Sequence, residues 1–394
     1  MVPQSPNSAR CSSAALTLTR SHGVRSVKSA TELVVLATVL IFWVTACAPA
    51  SLPPQPEFGS QSSGSATPKQ GTDETAADRR VGRIVAISID GLNPHAITTL
   101  GPAGTPAFHR LMKEGAYTLN ARTAREQTRT LPNHTGMLTG RRIDGRRGGH
   151  GVTYNTDNGS RTVHDSAGGY VSSVFDVVHD RGGGTALFTT KEKFALYDRT
   201  WNTNGGADDV GTDNGRAKID EFVVDTKDAR LVATTNTYLR SRPGQFVFLH
   251  IALPDETGHE SGFMSDQYLA AVRSTDLLVG TVLDTIAGQP ALSRNTVVLL
   301  TADHGGDGAS HSNPIDMDNY RIPFMAWGPG VPAGRDLYSL NPGRASPGDS
   351  RTSYVGPQPI RNGDIANLAT DILDLPTVPN SQFDADGELT VFPT

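Results

Sequence analysis

Only two cysteines, Cys11 and Cys47, occur in the 394 residues. A disulfide framework is therefore excluded, and so is a zinc site built on thiolates. Lysine is also scarce, with 7 against 28 arginines. Acidic residues number 40 against 35 basic ones, for a formal net charge of −5. The clustered positive surplus that a nucleic-acid-binding surface needs is missing. No histidine follows His311. Long apolar runs are missing too: the most apolar stretch, Leu33 to Val44, has twelve residues, where a membrane-spanning helix needs about 20. Apolar residues at 37% and charged residues at 19% exclude a chain kept unfolded by its charge. The length suffices for one large domain or two ordinary ones.

The amino terminus reads as an address. Arg20, Arg25 and Lys28 precede the apolar run, which ends in Val44-Thr45-Ala46-Cys47. Small residues before a cysteine, just after an apolar core, resemble the lipobox of bacterial lipoproteins, in which the cysteine is acylated and becomes the new first residue. Residues 1–46 are thus expected to be a lipoprotein signal peptide, Cys47 the lipidation site, and the protein exported and anchored to the outer face of the bacterial cytoplasmic membrane. Residues 47–82, rich in Pro, Gln, Ser, Gly and Thr without apolar periodicity, read as a disordered tether.

From residue 83 the pattern changes. The runs 83–89, 185–189, 245–252 and 295–301 are apolar and β-branched, as in strands buried on both faces of a parallel sheet. Between them lie helical signals. Thr105-Pro106 opens one segment and Gly115 closes it. Residues 265–286 carry Tyr268, Val272, Val279, Leu283 and Ile286 on one stripe, and 365–373 read as a further helix. Strands alternating with helices predict a doubly wound α/β domain over 83–394. The Gly205–Gly215 stretch, rich in Gly, Asp and Asn, reads as a loop, with calcium binding as an alternative.

Three of these strands are followed by acids or histidines: Asp90 after the first, Asp255 and His259 after the third, Asp303, His304 and then His311 after the fourth. Parallel strands bring such ends to one edge, where ligands of open α/β sheets bind. Carboxylates gathered there repel one another unless a cation neutralises them. Oxygen and imidazole donors without thiolate suit Zn²⁺, with Mn²⁺ or Fe as alternatives. Thr128-Arg-Thr-Leu-Pro-Asn-His-Thr135 offers hydroxyls that a metal ion could turn into nucleophiles.

The ordered segments Asp90-Gly-Leu, Thr130-Leu-Pro-Asn-His, Pro254-Asp-Glu-Thr-Gly-His259 and Asp303-His-Gly resemble the type I phosphodiesterase / nucleotide pyrophosphatase family of the alkaline phosphatase superfamily. The resemblance covers about 83–375. It implies a three-layer α/β/α alkaline-phosphatase-like fold with a mostly parallel central sheet. It also implies two divalent metal ions and hydrolysis of phosphodiester or pyrophosphate bonds through a covalent phosphothreonine. By the family's pattern Thr130 is the nucleophile and shares its oxygen with the metal held by Asp90, Asp303 and His304. Asp255 and His259 match two ligands of the second metal. Asn155, after His150-Gly-Val, inherits the place of an amide that donates to a phosphoryl oxygen. The implied partner is a small phosphorylated substrate.

One departure stands out. Nucleotide pyrophosphatases place their last metal histidine far downstream of Asp-His-Gly, and this chain has none there. The second metal then requires His311, and nucleotide specificity is not implied. Lys191, just past the strand 185–189, is a candidate contact to phosphate or leaving group. Arg141, Arg142, Arg146 and Arg147 either attract an anionic substrate or form a solvated turn. With Thr130 at the nucleophile position and no cysteine in this region, the sulfatase branch is set aside. An alkaline-phosphatase-type phosphomonoesterase and a non-catalytic lipoprotein that binds phosphorylated ligands stay open.

The lipobox reading has a direct test. Cys47→Ser should abolish acylation and release the protein from membranes or stall its processing. An unmodified Cys47 on a mature, membrane-associated chain, seen by mass spectrometry, would refute it.

Overall fold

The structure, a computed structural model, describes residues 81–207, 215–241 and 243–393. The leader, Cys47, the tether as far as residue 80 and positions 208–214 of the Gly205–Gly215 loop lie outside the described residues.

Eight strands form one sheet: β1 (Arg83–Ile89), β2 (Ala116–Arg122), β3 (Thr185–Thr189), β4 (Glu221–Val224), β5 (Phe246–Ile251), β6 (Thr296–Thr301), β7 (Arg321–Trp327) and β8 (Arg335–Asp336). Their order is β4-β3-β5-β1-β6-β7-β2-β8. Seven share one direction and β7 alone runs against them. β3, β5 and β6 are buried along their whole length, and β1 from its second residue on. Such continuous burial requires helices on both faces. Helices Pro106–Glu114, Asp228–Ser241 and Asp266–Ala287 pack together as one layer; Thr130–Thr139, Val174–His179 and Ile365–Ile372 pack together as the other. The mostly parallel α/β architecture expected from the sequence is therefore present.

The four expected strands are β1, β3, β5 and β6. Those that sequence reasoning missed break its rules. β7 holds Pro323, whose carbonyl accepts from the Thr301 hydroxyl at 2.7 Å. β2 mixes polar with apolar residues over Ala116–Arg122, and its pairing with β7 shifts register between Thr118 and Ala121. β4 is four residues long and only partly buried.

The register also sets a polar row across the apolar sheet. Thr189 pairs with His250, His250 with Ser88, and Ser88 with Thr301. Four adjacent strands thus each place a polar residue at or next to their last position, directly below the edge where the acids stand.

Two helices of one layer, Pro106–Glu114 and Asp266–Ala287, have a buried tie in Asp276. Thr105 makes no side-chain cap to helix Pro106–Glu114. Asp276 of the long helix caps it instead, its carboxylate accepting from Phe108 N at 2.7 Å and Ala107 N at 3.0 Å. Free amides at a helix start are satisfied, and a negative charge there meets the positive end of the helix dipole. Asp276→Ala should lower unfolding free energy by about 2 kcal/mol while leaving metal content unchanged. Chemical denaturation checks the first and elemental analysis the second.

Candidate metal centre

Asp90 is the first residue beyond β1, and Asp303 and His304 follow β6 by two and three residues. Asp255 and His259 sit on helix Leu253–Ser261, which begins two residues after β5 and has Pro254 in its first turn. Their separation of four residues places both on one helix face. β5, β1 and β6 are neighbours, so all three ligand groups meet at one edge. Gly91 makes the approach possible. Its φ is +68°, and an added Cβ would lie 3.0 Å from both Cα and Cβ of Asp255. The chain then returns His311 to the site through a tight Asp307–Ser310 bridge with Gly308 at φ +53°.

Each acid is held by one oxygen and leaves the other unpartnered. Asp303 Oδ1 accepts from Gly91 N at 3.1 Å and His304 N at 3.0 Å. Asp90 Oδ2 meets His250 Nε2 at 3.1 Å and Lys191 Nζ at 2.6 Å. Asp255 Oδ2 meets the same Lys191 Nζ at 2.5 Å. Buried and without a hydrogen-bond partner remain Asp303 Oδ2, Asp90 Oδ1, Asp255 Oδ1, His304 Nε2 and Thr130 Oγ1. Orphaned polar atoms in a folded interior are costly. Four of them, on Asp90, Asp255, Asp303 and His304, belong to two clusters of donors that fit cation sites.

The imidazoles point the same way. His304 Nδ1 lies 2.8 Å from Gly305 O, His311 Nδ1 2.5 Å from Thr128 O, and His259 Nδ1 3.1 Å from Ala309 O. A carbonyl only accepts, so each Nδ1 carries a proton, and each Nε2 can offer a lone pair once it carries none. His259 Nε2 and His311 Nε2 are 3.0 Å apart, and they lie 3.4 and 3.5 Å from Asp255 Oδ1. Two lone pairs facing each other at that distance repel unless a cation lies between them. His304 Nε2 lies 3.1 Å from Asp303 Oδ2 and 3.4 Å from Asp90 Oδ1. The donors gather in two clusters, Asp90/Asp303/His304 and Asp255/His304/His311, with His259 beside the second. His304 stands between them, since Asp255 Oδ1 is also 4.0 Å from its Nε2.

Without a metal ion the carboxylates are balanced from within. Burial would raise the Asp90 carboxyl, but Lys191, His250 and His304 hold it well below the usual carboxylate range. Burial also works against charge on His304, yet Asp303, Asp90 and Asp255 raise it to about 9. Burial and the neighbouring His304 push His311 down to about 3. Lys191 is thus a bridge between Asp90 and Asp255.

Thr130 opens helix Thr130–Thr139. Asn133 clamps the segment leading to it, its amide nitrogen donating to Gln127 O at 2.8 Å and Arg129 O at 3.0 Å. Asn155 Oδ1 accepts from Leu131 N at 3.0 Å and Lys193 Nζ at 3.3 Å, leaving its NH₂ to donate. The Thr128 hydroxyl donates to His311 O while His311 Nδ1 donates to Thr128 O, so the nucleophile segment and the His311 loop clasp each other. Of the four arginines, Arg141 is buried and donates to Pro379 O, and Arg142 pairs with Glu126 and lies over the Tyr354 ring. Arg146 and Arg147 are exposed around Asp144. They form a structured turn.

Sequence reasoning missed the layer beneath. His134 lies between Ser88 Oγ (2.9 Å) and Thr130 O (2.8 Å). His250 lies between Thr189 Oγ1 (3.1 Å) and Asp90 Oδ2. Asn362 donates to the carbonyls of Ala302 and Asp303, both at 3.2 Å. The polar ends of otherwise apolar strands were the available signal for two of these pairs.

Similarity to known proteins follows the same lines. The fungal GPI ethanolamine phosphate transferase 1 of Gibberella zeae is 31% identical over 181 residues, 43% of this chain and 17% of the relative. Human ectonucleotide pyrophosphatase/phosphodiesterase family member 1 is 25% identical over 241 residues, 59% of this chain and 24% of the relative. The chain thus spans less than a quarter of the length of these relatives. Murine ectonucleotide pyrophosphatase/phosphodiesterase 5 superposes with a TM-score of 0.52 at 14% identity, covering 78% of this chain and 100% of that one. A putative sulfatase from Bacteroides fragilis gives 0.52 at 15% identity, over 84% and 81% of the two chains. These two establish a shared fold. The sequence pattern of type I phosphodiesterase / nucleotide pyrophosphatase matches residues 84–343, and the chain belongs to that family.

Proposed function

We propose that the protein is a two-metal hydrolase of phosphate esters that works through a phosphothreonine on Thr130. The observation that carries this reading is the convergence of unpartnered carboxylate and imidazole donors at the carboxyl edge of β5, β1 and β6, with Thr130, its hydroxyl also unpartnered, tied to the same layer through His134. Asp90, Asp303 and His304 would hold one cation and Asp255, His259 and His311 the other, Zn²⁺ ahead of Mn²⁺ or Fe. Such ions supply positive charge against a phosphoryl group and lower the pKa of a hydroxyl or water.

The chain's own residues do the rest. Thr130 Oγ1 gives its proton to water and attacks phosphorus. The bond from phosphorus to the leaving oxygen breaks, and phosphothreonine results. The helix start beneath Thr130 faces the anion with its positive end. The Asn155 amide nitrogen donates to a phosphoryl oxygen, a contact typically worth about 3–4 kcal/mol when removed. Lys191, freed from its two aspartates, and Lys193 face the same group. Water then adds to phosphorus, the bond to Thr130 Oγ1 breaks, and the hydroxyl regains a proton. A diester is favoured over a monoester. Arg141 and Arg142 are engaged elsewhere, which leaves neither to clamp a terminal phosphate. The four fungal relatives, all named as ethanolamine phosphate transferases, favour a second reading in which an alcohol takes the place of water. A lipid on Cys47 would keep this chemistry outside the cell. No helix among the described residues is long and apolar enough to cross a membrane.

Turnover of nitrophenyl phosphate mono- and diesters by the metal-loaded protein, with and without an added alcohol, tests the readings against each other. Thr130→Ala should abolish diester turnover while retaining both metal ions, and Thr130→Ser should keep part of it. Near-native rates in Thr130→Ala would move the nucleophile elsewhere. His311→Ala should lower bound metal from two ions toward one and cut the rate by several powers of ten, with His95→Ala, half-exposed, as the control. Two tightly bound ions and normal turnover in His311→Ala would refute the second site.

A further inference from the structure

His250 belongs to neither donor set, yet it is fully buried within the centre of the sheet. Its ring packs between His134 and Phe194, with centroids at 4.8 and 4.4 Å. Its two ring nitrogens have different partners, and one of them carries a ring proton. Asp90 only accepts, which places that proton on Nε2 and makes Nδ1 the acceptor of the Thr189 hydroxyl. Thr189 Oγ1 in turn accepts from the Lys191 backbone amide at 3.1 Å. The chain of bonds runs from Lys191 N–H to Thr189, to His250, to Asp90 Oδ2, and Lys191 Nζ closes it on the same oxygen.

We infer that His250 is a positioning residue that aims Asp90. By holding Oδ2 it presents the unpartnered Oδ1 to the first cation and keeps the carboxylate from rotating to bind Lys191 with both oxygens. Lys191 alone cannot set this geometry. It is a flexible cation shared with Asp255, and any divalent ion repels it. His250 is fixed by strand register and by the rings of His134 and Phe194 packed on it. Residues of this kind, which bond to ligands and not to the metal, are typically worth about 10–100-fold in metal affinity.

This inference rests on the two-metal reading above, and metal affinity separates the two. The experiment titrates the intact chain with Zn²⁺ against a chromophoric chelator, in the native protein and in His250→Phe, His250→Gln and Thr189→Val. His250→Phe keeps the ring and loses the donor; one of the two ions should bind about 10–100-fold more weakly and the other as before. His250→Gln keeps a donor toward Oδ2 and should recover most of that loss. Thr189→Val frees the tautomer and should fall between them. Diester kcat should fall with KM nearly constant. In an Asp90→Ala background, His250→Phe should change metal affinity no further. Native affinity for both ions in His250→Phe overturns the inference, as does a glutamine variant as weak as the phenylalanine one. If His250→Phe does not fold, native affinity in Thr189→Val overturns it equally. A native chain that binds no divalent ion would instead refute the two-metal reading itself.

Discussion

Everything at the carboxyl edge of the sheet follows from one electrostatic constraint. Asp90, Asp255 and Asp303 are buried within a few ångströms of one another, and buried like charges are tolerated only beside opposite charge. The fold meets this with Lys191 across Asp90 and Asp255 and with His304 among all three. Neither completes the coordination, because one oxygen of each carboxylate still has no partner. The site is therefore neutral enough to fold and still short of donors for those oxygens, the state in which a divalent cation gains most.

Strand register supplies the precision such a site needs. A carboxylate at the tip of a strand can rotate; one tied to a buried ring cannot. Thr189, His250, Ser88 and Thr301 form a row because parallel pairing aligns equivalent positions of β3, β5, β1 and β6. Of this row, Ser88 fixes His134, which reaches the carbonyl of Thr130, and His250 reaches Asp90. Thr130 and Asp90 are thus referenced to the same two central strands. These polar side chains are all hydrogen-bonded, the condition under which a buried network gives rigidity.

What the sequence made legible follows from spacing. The apolar runs gave β1, β3, β5 and β6. Acids and histidines directly after three of them pointed to the ligand edge, since chain connectivity alone puts strand ends together. β7 was hidden by Pro323, and β2 by its polar residues and shifted register. The helix that carries Asp255 and His259 was equally illegible, its nine residues including Pro254 and Gly258. His250 and Thr189 were visible as letters, but their roles depend on the register between strands 61 residues apart, which no local pattern encodes. Lys191 was singled out for a phosphate, and its link to two aspartates appears only when β3, β5 and β1 are neighbours.

His311 ties these strands of argument together. A ligand delivered from far downstream could move independently of the nucleophile. Here His311 returns seven residues after His304 and is clasped to Thr128, two residues before Thr130. Its imidazole stacks on that of His304 with ring centroids 3.6 Å apart. The segment leading to Thr130 and the two donor sets are therefore joined by direct contacts. Shifting one of them strains the others.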